Sequence, residues 1–195
     1  MGSSKFAANG KTRLSDTERI NLYKLVIARN DITEALLTTE LFLKTVSSIS
    51  SPYFQPLQDA IVIAYARPFT GNAPYGALAK KWSVFSDVAM ESTHEMLIHT
   101  RMKLVAHSDM TYRRVVIMPK GTSMLPGETQ PNEDVVLRVS TKKIALTTFP
   151  LIRNLCLDLG SRLDDEVEKI TDAFISDENF PKAPFDLLDG VDLPK

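Results

Sequence analysis

Arg101 and His107 are the residues of this chain best suited to chemistry on a phosphodiester. An imidazole titrating near pH 6.5 can take a proton from a ribose 2′-hydroxyl or return one to a leaving oxygen, while a guanidinium steadies the charge growing on phosphorus. Such a reaction needs no metal or other cofactor. It leaves a cyclic phosphate and a free hydroxyl, and it refuses DNA, which lacks the 2′-hydroxyl nucleophile. Arg101 precedes His107 by six positions, so on an ideal helix their side chains leave about 120° apart. They need not touch within one helix. Two copies meeting across a two-fold axis can bring both pairs into one cleft. The competing reading is that the helix macrodipole favours a basic residue and a histidine near a helix C-terminus whatever the protein does.

The neighbouring polar residues supply supporting roles. Asp109 can orient the His107 imidazole or end the helix. His94 lies seven residues before Arg101, which returns it to nearly the same helical face. Arg67, ahead of Pro68, supports either the cleft or the helix end. Glu91 and His94 form a Glu-x-x-His pair, a spacing used by di-iron bundles, but those need a second pair and further carboxylates. This chain has one pair, with Glu40 or Asp59 as imaginable additions, and no metal site is assigned.

Composition narrows the partners. The net charge of −1 gives no overall drive toward nucleic acid or an anionic membrane. Between Arg113 and Lys143, six basic residues stand against three acids, so Arg113 and Arg114 are the expected RNA contacts. From Asp158 onward eleven acids outnumber four basic residues, a pattern usual for a solvated helix face or a protein-binding surface. The single Cys156 rules out an internal disulfide and thiolate metal clusters, and its leucine neighbours predict a buried thiol. No stretch reaches the roughly 18 apolar residues of a membrane span, and the N-terminus lacks a signal-peptide core. A cytoplasmic protein that does not contact membrane is expected.

The elements that must position these residues are helical. Ser15, with Glu18 three residues later, predicts a capping box, followed by one long helix from about 16 to 47, the alternative being a break near Asn30-Asp31. Residues 47–52 make a turn, and the apolar run Ala60 to Tyr65 predicts a central helix over about 52–66. Ala77 to Phe85 forms a short helical segment in which Trp82 anchors the core. Asp87 caps a third long helix to His107, which carries Arg101. Two β-branched runs, 113–118 and 135–139, predict a two-stranded β appendage within 112–140. A last helix starts near Thr147 or Thr148, with Pro150 in its first turn, and reaches about Phe174; Gly160 weakens it without forbidding it. The fold class expected is all-α, an antiparallel bundle of four to five helices with that small appendage. Residues 1–14 are a flexible lead-in, 15–176 one domain, and 177–195 an irregular acidic tail packing only through Phe180, Phe185 and Leu187.

The run Arg101-Met-Lys-Leu-Val-Ala-His107-Ser-Asp109, at the end of a long helix, resembles the signature of the HEPN superfamily, an arginine followed by four to six residues and a histidine. In its fuller form, which includes Lys103, it is similar to the abortive-infection type of bacterial HEPN proteins. Tyr65-Ala66-Arg67-Pro68-Phe69 is similar to their second helix. The resemblance covers residues 16–175. It implies a homodimeric, metal-independent endoribonuclease of toxin–antitoxin or phage-defence systems, with Arg101 and His107 as the catalytic pair and an antitoxin protein as a further partner. Met102 stands where active members often carry a polar residue. The alternative is therefore a catalytically inactive module that binds a nucleotide or a protein.

Overall fold

The first helix begins as its sequence dictates. The Ser15 hydroxyl accepts from the Glu18 N–H at 3.4 Å, and the Glu18 carboxylate accepts from the Ser15 N–H at 2.7 Å. This capping box satisfies backbone donors that a helix start otherwise leaves without partners. The computed structural model describes residues 14–71, 76–105, 113–122, 133–175 and 183–191. Within them, α1 spans Asp16–Thr45, α2 Phe54–Ala66, α3 Val88–Thr100 and α4 Phe149–Ile175, with β1 at Arg113–Met118 and β2 at Val136–Thr141. Helix α1 passes Asn30-Asp31 without a break, and Gly160 sits inside α4.

Cross-helix pairs fix the directions. Glu40 pairs with Arg153 at 3.1 Å, Arg29 with Asp164, and Phe42 stacks on Phe149, so residue numbers rise along α1 as they fall along α4. Phe42 also meets Phe54 edge-on, while Asp31 meets Arg67, which runs α2 antiparallel to α1. Tyr65, near the end of α2, contacts His94, and the turn after α3 still packs on α2, so α3 returns antiparallel to α2. The result is an all-α antiparallel bundle of four helices among the described residues, with a small two-stranded antiparallel sheet appended. None of the described helices is long and apolar enough to cross a membrane.

Burial follows the helical period. In α4, Ile152, Leu155, Leu159 and Leu163 are fully buried, and each such side chain contributes roughly 1.5–3 kcal/mol on leaving water. They close on Leu25, Ile32 and Phe42 of α1 and Ile61 of α2 in one core. Cys156 lies in that core, where burial pushes its thiol up to about 12, the inert state expected of it. Trp82 is the predicted anchor, buried beneath the Arg162 guanidinium, which donates to the carbonyls of Lys81 and Val84. Its segment is helical over a single 3₁₀ turn, Lys80–Ser83, shorter than the expected Ala77 to Phe85. After the bundle, Phe185 lies 6.1 Å from Phe174, and Arg19 donates to the carbonyls of Leu187 and Asp189, so the tail is tied to the end of the pair where α1 begins and α4 finishes.

Candidate functional site

Asp87 opens α3 by accepting from the Ala89 N–H at 2.7 Å, and the helix then presents two different faces. Thr93, His94, Leu97 and Thr100 turn inward, while Glu91, Glu95 and His99 are exposed. Arg101 itself keeps α dihedrals, φ −59° and ψ −47°, and its N–H still reaches the Leu97 carbonyl, but the hydrogen-bond pattern widens from here on. Arg101–Val105 is a π turn that packs on α2. The sequence predicts an α-helix running on to His107, so this is a difference. A π turn carries fewer degrees of rotation per residue than an α turn, so ideal α-helical angles do not hold across Arg101–Val105. Arg101 and Lys103 are half-buried in this turn, and Met102 is exposed. His107 and Asp109 lie outside the described residues.

His94 is placed in the core rather than along a cleft with Arg101. Its Nδ1 is 2.8 Å from the Tyr65 hydroxyl, and its ring is surrounded by Phe69 at 4.7 Å, Phe85 at 5.4 Å and Tyr65 at 5.8 Å. Burial lowers the imidazole below its ordinary 6.5, against the pull of Glu91, and burial raises the Tyr65 hydroxyl well above 10. Both are thus neutral near pH 7 and share one hydrogen bond between the Tyr65 hydroxyl and His94 Nδ1. Seven residues of spacing bring a side chain back to one face, but that face points at aromatic rings here. The Glu91–His94 pair does not grow into a metal set: among the described residues no group of three metal-binding side chains comes together.

Arg67 joins two helices. Its guanidinium donates to Asp31 Oδ1 at 3.0 Å and Glu34 Oε2 at 2.7 Å, fastening the end of α2 to the middle of α1. Asp31 is 6% exposed, and that burial raises its carboxyl above 3.8 although Arg67 opposes the shift. The two carboxylates in turn hold Arg67 more firmly protonated. Of the two roles open to Arg67 from sequence, the helix-end one matches these contacts.

A groove of about 340 Å³ adjoins the residue before the π turn. Met96, His99 and Thr100 of α3 form one wall, and Lys142, Lys143 and Thr148, from the segment between β2 and α4, form the other. No carboxylate is among its described lining residues. The second wall is held from behind. The Ile144 N–H donates to Gln58 Oε1 at 2.7 Å, and the Lys143 ammonium donates to the Ile49 carbonyl while lying 4.9 Å over the Phe54 ring. Gln58 is fully buried in α2, so a rigid helix sets where the lysines stand. Two lysines and two threonines thus line the groove, with the Lys143 ammonium held at the Ile49 carbonyl and the Thr100 hydroxyl 3.6 Å from Met96 Sδ.

Gln58, His99, Lys142, Lys143 and Thr148 have no place among the sites read from sequence. The lysines fall inside the basic stretch after Arg113, which was the only signal available for them. Arg114 is exposed on β1, with Arg138 of β2 on the same face by register. The Arg113 side chain lies outside the described residues. Comparison of the chain with protein-family models, with curated proteins and with solved structures finds no match.

Proposed function

We propose that this protein is a metal-independent endoribonuclease of the toxin or phage-defence type, working as a homodimer in the cytoplasm with Arg101 and His107 as its catalytic pair. His107 removes the proton from a ribose 2′-hydroxyl, the 2′-oxygen attacks phosphorus, and the bond from phosphorus to the 5′-oxygen breaks. The leaving oxygen takes a proton from an imidazolium, and the products are a 2′,3′-cyclic phosphate and a 5′-hydroxyl. Arg101 stabilises the charge on the phosphoryl oxygens as it grows. Lys103 and Asp109 support the pair, and Arg114 with Arg113 contacts RNA beyond it.

The observation that supports this reading is the π turn that starts at Arg101, directly after the groove residue Thr100. π turns inside helices recur at functional sites because they hold a side chain off the regular helical direction. The groove beside it has Lys142 and Lys143 and no carboxylate among its described lining residues, a charge balance that suits a phosphate chain. Purified protein given RNA in the presence of chelator is expected to release fragments ending in 2′,3′-cyclic phosphate. An RNA with a single 2′-deoxy residue at the cleaved position is expected to survive. Cleavage of that substituted RNA at the same bond would sink the mechanism.

The cation-lined groove also favours a second reading, a catalytically inactive module that holds a nucleotide there. It predicts that a nucleotide raises the melting temperature without being turned over, as any ligand preferring the native state does. An antitoxin protein belongs with the first reading, and a protein partner on the acidic α4 belongs with the second.

A further inference from the structure

Strands β1 and β2 pair with Val115 opposite Val139 and Ile117 opposite Leu137. Alternate residues of a strand share a face, so these four stand on one side of the hairpin, and Val135 continues the alternation just before β2. All five are 62 to 70% exposed. Among the described residues, the main neighbour of each strand is the other strand, so the bundle does not cover this face. Arg114 and Arg138 fall on the opposite side. A lone two-stranded ribbon is marginal in water, and an uncovered aliphatic face on one is a surface that awaits a partner.

We propose that this face docks on the same face of a second copy of the chain, forming a two-layer β-sandwich across a two-fold axis perpendicular to the strands. Three observations select that occupant. The exposed aliphatic area is roughly 500 Å², near the upper limit for a monomer. Two such faces together remove about 1,000 Å², which is where specific interfaces begin. The five aliphatic positions carry no charge, and by register Arg113 joins their side only at the end where Lys142 and Lys143 follow, so the best complement is a face of the same length turned end for end, which an isologous contact supplies. The ends of the hairpin are oppositely charged: Glu133 and Asp134 lead into β2, opposed by Lys120, and Lys142 and Lys143 follow it. An axis perpendicular to the strands sets the acidic end of one copy beside the basic end of the other, whereas an axis along the strands would set like against like.

The inference goes beyond the nuclease reading, which needs two copies but does not say where they meet. The readouts are separate: a hairpin dimer that cuts no RNA keeps this inference and ends the nuclease, and a monomer that cuts RNA does the reverse.

The test is sedimentation equilibrium of the full chain across a wide concentration range. A species of twice 21.7 kDa is expected. Ile117→Lys, and separately Leu137→Lys, is expected to weaken dimerisation at least about tenfold, because a charge at the centre of an interface loses its water without gaining a partner. Both side chains are exposed in one copy, so thermal melting of the dilute monomer should be unchanged. Asp134→Lys and Lys142→Asp should each weaken the dimer, and the two together should restore it. A wild-type chain that stays monomeric throughout, a dimer indifferent to Ile117→Lys, or a monomer that uses this face to sediment with anionic vesicles overturns the proposal.

Discussion

Burial, more than any charged neighbour, sets the chemistry of His94, and that has a consequence in solution. Its imidazole is lowered below 6.5 in the folded chain, so as pH falls below 6.5 the unfolded chain binds a proton that the folded chain refuses. Stability therefore drops with acidification in that window and recovers as pH rises through it. Urea midpoints compared at pH 7.5 and 5.5 should show the loss in the wild type and a smaller loss in His94→Gln; equal losses would mean that another group carries it. Asp31 works in the opposite sense. Its carboxyl is raised above 3.8, so the folded chain holds that proton longer and stability contributed by the neutral form is lost as pH rises through the raised value. Arg67→Met leaves Asp31 buried with less compensation and should cost about 1–2 kcal/mol, a figure held down by the partial exposure of Arg67. Asp31→Asn added to it should recover part of that loss in chemical denaturation. Individual residues were legible only by type: a histidine seven before Arg101 could be placed on a face, but which element that face met depended on Phe69 and Phe85, read only in three dimensions.

At the level of elements, local signals were enough where local chemistry decides. Ser15 with Glu18, Asp87 before Ala89, and Pro150 in the first turn of α4 each act within four residues of themselves, and each marks its helix start as expected. The π turn was not legible. Arg101 to Val105 contains no glycine or proline, and its departure from α geometry coincides with its packing on α2, a contact no spacing rule sees. The groove was hidden for the same reason, since its walls lie over forty residues apart in sequence and are registered through Gln58. Helix α4 still carries a removable weakness. A Cβ built at Gly160 meets its first neighbour, Ile32 Cγ2, at 4.0 Å, an ordinary contact. Gly160→Ala should therefore stabilise the protein by about 0.5–1 kcal/mol, chiefly by restricting the unfolded chain, with a higher melting temperature as the readout. A lower one would mean that α1 and α4 are packed more tightly there than this contact implies.

For the whole molecule, the bundle and the hairpin divide the work. The bundle holds Arg101 on a turn braced by α2, and the hairpin follows after the seven residues 106–112, a span of at most about 25 Å. The central claim remains the catalytic pair. The measurement that meets it most directly is the rate of RNA cleavage in excess chelator by wild type, Arg101→Ala and His107→Ala, each checked for an unchanged fold. Wild-type cleavage that falls by about a hundredfold or more in either variant is the predicted result, in line with the loss of a positioned acid–base group or a charge-stabilising donor. Wild-type protein that leaves RNA intact, or a His107→Ala variant that cuts as fast as wild type, would contradict the account.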